Sequence, residues 1–374
     1  MSSRFVPLTI ALVAGLAAAF AVIESPASLS EDDTGCVTIF REGISGHTGG
    51  LATGPDGNLY FTQVLEDQIG VLDPETGDVR EIQLPKGTGP RSPIVTSDRE
   101  MYFTGLSGSI GRYDIRADRL RLYTEGISEG SVPHTPVIPG DGFLYFTEEA
   151  FRGGQLGRLD LETGEITETR AGLPRPPRPA DDPGAGDADP DAPPRGFPYT
   201  FALHGITTGP QDEDLWVSWQ DADQIVPFDL ARQRFDASRA IQFSENSGPH
   251  DVRLGPDNRL YTTLQHGGKI GEADIATGDV REYETDLRPN FTPDAQPDNK
   301  LVDIVINADR TAAYATSFFR NELYRLDLST GEVDTPVCDI PPGGAGLQLV
   351  VGPDDHIWYA DPIRGAIVRV NRPG

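Results

Sequence analysis

Short apolar runs alternate with polar turns along the chain beyond residue 36, and the alternation has a long period as well as a short one. In the short period, runs rich in Val, Ile, Tyr, Phe and Thr are bounded by Gly, Pro, Asn and Asp. That is the pattern of strands separated by tight turns. The long period repeats a phrase: an apolar stretch, Gly-Pro-Asp-Gly or a relative, an apolar–aromatic pair, a polar loop, a second β run ending in Asp, and a Thr-Gly turn. Gly54-Pro55-Asp56-Gly57-Asn58-Leu59-Tyr60-Phe61 and Gly255-Pro256-Asp257-Asn258-Arg259-Leu260-Tyr261 are its clearest copies. The corresponding aromatics are Tyr60, Tyr102, Tyr145, Trp216, Tyr261, Tyr314 and Trp358. Four of the six intervals between them are 42 to 45 residues long, and the two longer ones carry Pro-rich insertions, 171–198 and 284–299.

Four short strands every 42–45 residues is the spacing of a propeller blade, whereas a β-sandwich does not repeat its own sequence seven times. The expected fold is therefore all-β, a seven-bladed β-propeller with four-stranded blades. The last unit stops at Ile367-Val368-Arg369-Val370 without a fourth strand, while an orphan run, Val37-Thr38-Ile39-Phe40, precedes the first. The N-terminal run is expected to supply the outer strand of the seventh blade, closing the ring so that no sheet edge stays open.

Upstream, Arg4 precedes an apolar run from Phe5 to Val22 followed by small residues. Residues 1–27 read as a cleaved signal peptide, ahead of a propeller over 36–374. The rival reading is an uncleaved anchor helix. The expectation is a secreted or extracytoplasmic protein, without stable membrane insertion after cleavage and monomeric. In that compartment Cys36 and Cys338, flanking neighbouring outer strands, are expected to form a single disulfide. Asn290-Phe291-Thr292 would be a glycosylation site in a eukaryotic source.

Charge narrows the partners. The formal charge is −27, from 58 acidic against 31 basic residues, and the lysines are Lys86, Lys269 and Lys300. Such a surface repels phosphate backbones, so nucleic acid is excluded as a partner. There is no Gly-x-Ser-x-Gly, no acid pair of glycosidase type, no phosphate loop and no dinucleotide fingerprint.

Propeller geometry sorts the remaining candidates. Counting back 11 residues from each blade aromatic (12 in blade four) reaches Gly49, Arg91, His134, His204, His250, Asp303 and Leu347, where each innermost strand starts at one mouth of the central channel. Counting forward three to five residues reaches the same mouth at Gln63, Glu148 with Glu149, Trp219 with Gln220, His266 and Asp361. Three of the six histidines thus fall at equivalent mouth positions. A polar residue there can also simply bond a neighbouring blade. His47 and His356 read as structural, and Asp56, Asp257 and Asp354 as turn formers. Histidines titrate near neutral pH, so a pair across a channel can remove one proton and deliver another. His134, His204 and His250 are the candidate catalytic residues, and Arg91, Trp219, His266 and Asp303 the candidate substrate-binding ones, for a small-molecule ligand in the channel. A three-histidine metal centre requires these positions to approach one another across a wide ring.

The repeat resembles the blade of the streptogramin B lyase (virginiamycin B lyase) family. The resemblance rests on Gly248-Pro249-His250-Asp251-Val252, Gly255-Pro256-Asp257, Lys269-Ile270-Gly271 and Gly278-Asp279-Val280-Arg281-Glu282-Tyr283, with Gln68-Ile69-Gly70 and Gln155-Leu156-Gly157 as further third strands. It implies chemistry at one channel mouth, where histidines, glutamates and Mg²⁺ open an ester-linked ring by elimination. By that resemblance Glu148 and Glu149 would hold the metal beside His134, with His204 and His250 as the histidine pair. Two other readings remain open from the residues themselves: a metal-free natural-product cyclase, and a propeller that only binds a ligand or protein.

Overall fold

The computed structural model describes residues 35–97, 99–149, 154–173, 203–287, 300–318, 320–334, 337 and 340–371. The expected signal peptide, most of both insertions, Asn290 and Cys338 lie outside them. Seven antiparallel sheets make a seven-bladed β-propeller, and there is no α-helix among the described residues. Blade one shows the plan: Leu51–Thr53, Leu59–Gln63, Gln68–Leu72 and Val79–Gln83 pair in chain order from the channel outward. The inner strands of the next six blades are Pro90–Val95, Val132–Val137, Leu203–Thr208, Pro249–Leu254, Leu301–Ile306 and Leu349–Val351. Blade four adds a short fifth strand, Ile241–Gln242, beside its third.

The ring closes as the orphan run predicts. Val37–Phe40 pairs with Ala366–Val370, Val37 opposite Val370 and Phe40 opposite Ile367. Full pairing removes the open edge of blade seven, and Val37 is completely buried there. Cys36 packs beside that strand with Val337 and Ile340.

Apolar clusters fill the wedges between neighbouring blades; one joins Leu59 and Phe61 of blade one to Trp358 and Ile367 of blade seven. Second-strand rings lie flat on bare third-strand backbone, so a Cβ at Gly70, Gly111 or Gly157 would sit 1.9–2.1 Å from Phe61, Phe103 or Phe146. The Gly-Pro-Asp turns work as their residue types suggest: Asp56 accepts from Tyr60 Oη at 2.8 Å while Gly57 takes φ +84°. Connections between blades are stapled by a repeated pair. Ser45, Ser128 and Ser244 each donate backbone and hydroxyl bonds to a glutamate in the outer strand of the following blade, Glu81, Glu168 and Glu282.

Candidate functional site

In the first four blades a hydroxyl two residues after the blade aromatic sets the mouth positions. Thr62, Thr104, Thr147 and Ser218 each accept from the N–H of Gly50, Ser92, Thr135 and Gly205 in their own blade. Each then donates to the carbonyl of the next blade's mouth residue, Arg91, His134, His204 and His250. Inner-strand register also slips there, between Pro90 and Pro93, Pro133 and Pro136, Leu203 and Ile206, and Pro249 and Val252. A bulge re-aims a side chain and is a common device beside functional sites. Here the repeated bulge occurs where the mouth residues approach one another.

Four of the candidates meet on one carboxylate. Glu149 takes both guanidinium nitrogens of Arg91, at 2.9 and 3.3 Å. Its Oε1 also lies 3.1 Å from His134 Nε2 and 2.9 Å from His204 Nδ1. His204 stacks on His250 with ring centroids 4.4 Å apart, and His134 stands edge-on to both at 5.2 and 6.1 Å. The three histidines therefore do approach across the ring, in consecutive blades.

Burial pushes the Glu149 carboxyl up, but Arg91, His134 and His204 outweigh it and hold the group well below the usual carboxylate range. Burial, aided by Arg91, holds His134 well below the usual imidazole value; burial with the neighbouring histidines does the same to His250. Both rings are neutral at pH 7, which assigns their protons. A carbonyl only accepts, so His250 Nδ1, 2.8 Å from Val302 O, carries the hydrogen and leaves Nε2 with its lone pair. His134 turns Nε2–H to Glu149, and its Nδ1 takes the Thr135 hydroxyl at 2.7 Å. Of these two, His250 keeps the uncommitted nitrogen.

These depressed histidines set a pH dependence. Unfolded, they protonate near pH 6.5, whereas folded they stay neutral to lower pH, so the unfolded state binds the extra protons. Stability is then full above pH 6.5 and falls as pH drops, by roughly 1 kcal/mol per pH unit for each histidine. Urea midpoints measured from about pH 7.5 to about pH 5.5 check this, and His250→Asn should reduce the slope.

The channel holds a cavity of about 210 Å³ lined by Arg91, His134, His250, Asp251, Arg253 and Asp303, among others. The count from the aromatics did not single out Asp251 and Arg253. Arg253 bridges Asp251 at 2.8 Å and Asp303 at 3.3 Å, and Asp303 also accepts from Leu349 N at 2.6 Å. Burial first, then the neighbouring Asp251, pushes the Asp303 carboxyl well above its usual range. A signal for this group existed in the sequence: two acids and an arginine on adjacent inner strands, each near a mouth position.

The other candidates sit elsewhere. Trp219 is 3% exposed within the apolar core of blade four, outside that lining. His266 packs over Gly248, where an added Cβ would lie 2.4 Å from its Nδ1. Glu148 is fully buried on the opposite side of its strand from Glu149, among Ser131, Gln155 and Glu168. Successive strand residues face opposite ways, so adjacent glutamates cannot serve one ion there. The mouth thus offers one carboxylate, already engaged by Arg91 through both oxygens, and two imidazoles. Mg²⁺ requires mainly oxygen ligands in near-ideal octahedral geometry. This donor set does not fit it.

Solved structures share the architecture. A streptogramin B lyase structure superposes with a TM-score of 0.68 at 20% identity, covering 89% of this chain and 96% of its own. A catalytically inactive histidine-to-alanine virginiamycin B lyase from Staphylococcus aureus with quinupristin gives 0.70 at 20% identity, over 89% and 98%. The selenomethionine-substituted enzyme from the same organism gives 0.69 at 20%, again over 89% and 98%. No protein-family model and no curated protein sequence matches the chain. Among the described residues, no helix is long and apolar enough to cross a membrane.

Proposed function

We propose that the protein is an exported, monomeric lyase-type enzyme that cleaves a carbon–oxygen bond in a small or cyclic organic substrate held in the channel, without magnesium. The observation that carries this reading is His250: a neutral ring lining the cavity, its Nδ1 proton fixed by Val302 and its Nε2 lone pair uncommitted. A base of this kind removes a proton from carbon beside a carbonyl. The electron pair forms the new double bond as the carbon–oxygen bond breaks, and the leaving oxygen departs with the bonding electrons. Asp303, whose carboxyl burial and Asp251 push well above its usual range, lines the same cavity and is the group placed to supply a proton to that oxygen. Arg91, paired with Glu149 and lining the same cavity, would stabilise charge developing on the carbonyl oxygen. Glu149 positions His134 and His204, and His204 supports the face of His250.

The solved propellers of the same architecture support the choice of substrate class, since one of them was obtained with quinupristin. The test is incubation with cyclic and linear esters bearing an acidic C–H beside the carbonyl, followed by mass spectrometry. Elimination leaves the total mass of products unchanged, whereas hydrolysis adds one water. His250→Ala is expected to lower turnover at least about a hundredfold with folding intact. Substrate-induced stabilisation without product in the wild type would replace this reading with a binding propeller.

A further inference from the structure

Blades one, three and five share the serine–glutamate staple, and their sheet registers align residue for residue. Glu81, Glu168 and Glu282 stand opposite Gly70, Gly157 and Gly271. Two positions earlier on the same third strands stand Gln68, Gln155 and Lys269, opposite Gln63, Glu148 and Leu264 on the second strands. In blade five the staple glutamate is neutralised from within: Lys269 Nζ lies 3.3 Å from Glu282, and the second-strand position is apolar. In blade one the glutamate has two neutral glutamines beside it. Blade three differs from both, with a second carboxyl, Glu148, where blade five has Leu264, and a neutral Gln155 where blade five has the lysine.

The atoms around this spot lack partners. Glu148 is 0% exposed, and neither of its oxygens makes a hydrogen bond. Ser131 Oγ and Gln155 Nε2 are also buried without one. Ser131, Gln155 and Glu168 are the groups acting on the Glu148 carboxyl. A fully buried carboxyl beside the half-buried Glu168, whose oxygens have only Ser128 as a donor and no cation among the described residues, is unfavourable, and the unpaired oxygens of Glu148 compound the cost.

We infer that blade three binds a divalent cation of the calcium class between Glu148 and Glu168, with Ser131 Oγ and, once its amide turns over, Gln155 Oε1 completing the protein ligands. Every donor is a hard oxygen and the arrangement is irregular, which suits Ca²⁺ better than an ion demanding an ideal octahedron. The ion takes the place that the Lys269 ammonium fills in blade five. Burial and Glu168 push the Glu148 carboxyl up to about 8 without metal, so Ca²⁺ binding would release a proton. The site lies on the other side of the second strand from Glu149 and is independent of the proposed reaction.

The test is calorimetric titration of CaCl₂ into the chelator-treated full chain, with melting curves in saturating Ca²⁺ and in chelator. Expected are one tight equivalent and a melting temperature raised by calcium. Glu148→Gln should weaken binding at least a hundredfold and leave the melting temperature unresponsive to calcium. Gln155→Lys, which installs the blade-five arrangement, should abolish binding and raise the melting temperature in chelator. Absence of a calcium effect on the wild type overturns the inference in favour of a pair sharing a proton. Tight binding that survives in both variants also overturns it, by assigning the ion to the acidic surface. Since neither readout involves turnover, failure here leaves the lyase reading standing, and the reverse holds too.

Discussion

Arg364→Ala is expected to cost about 3–5 kcal/mol of folding stability, measured as the loss in free energy of unfolding in urea. Asp361 is 0% exposed and Arg364 only 7%. The carboxylate accepts from the N–H groups of Ala345 and Arg364, and the guanidinium closes the pair. Arg364 also donates to Pro341 O and Pro342 O, tying the connection from blade six to the hairpin of blade seven. Gly344 lies under this guanidinium, where a Cβ would come within 1.8 Å of it. Truncation leaves a buried charge without a counter-ion, and burial already pushes the Asp361 carboxyl upward with Arg364 opposing it. Asp361→Asn in the same background should recover much of the loss, because an amide oxygen can still accept both backbone bonds without carrying charge. A single-variant cost below about 1 kcal/mol, the range of an exposed pair, would contradict this account.

Glu149→Ala is expected to be nearly as severe, about 3 kcal/mol, and to lower any turnover the channel supports. It strips Arg91, 23% exposed at its side chain, of its bidentate partner and removes the carboxylate that lies against His134 and His204. A double-mutant cycle with Arg91→Ala isolates the pair, and a coupling of about 2 kcal/mol is expected because the two groups touch. Glu149→Gln should keep more stability than alanine while still losing the ionic hold on Arg91. Additive effects of the two alanine variants would show that the carboxylate and guanidinium do not act as a unit.

Adjacent glutamates illustrate where the linear reading stopped. Counting from the aromatic Tyr145 reaches both Glu148 and Glu149, but strand alternation sends Glu149 to Arg91 and the histidines and Glu148 into the wedge with Glu168. Trp219 falls at a forward position by the same count and proves to be core of blade four. The hydroxyls Thr62, Thr104, Thr147 and Ser218 were legible as a repeat, always two residues after the blade aromatic. Their role was not, because each bonds a carbonyl in the next blade, from 29 residues away for Thr62 to 57 for Thr147. Cys338, the expected bridge partner of Cys36, and the expected signal peptide lie outside the described residues.

Sequence alone determined the seven blades and the closure of the ring. Both depend on local signals, turn residues and apolar alternation, that recur at fixed spacing and need no knowledge of the third dimension. It also placed Arg91, His134, His204 and His250 at equivalent strand starts. Tertiary structure decided that His134, His204 and Arg91 gather on Glu149 while His250 keeps a nitrogen uncommitted, and that Asp251, Arg253 and Asp303 join the same cavity. The reason is geometric: strand direction within a blade is written locally, but the distance between blades depends on ring curvature, bulge position and the packing of every wedge together.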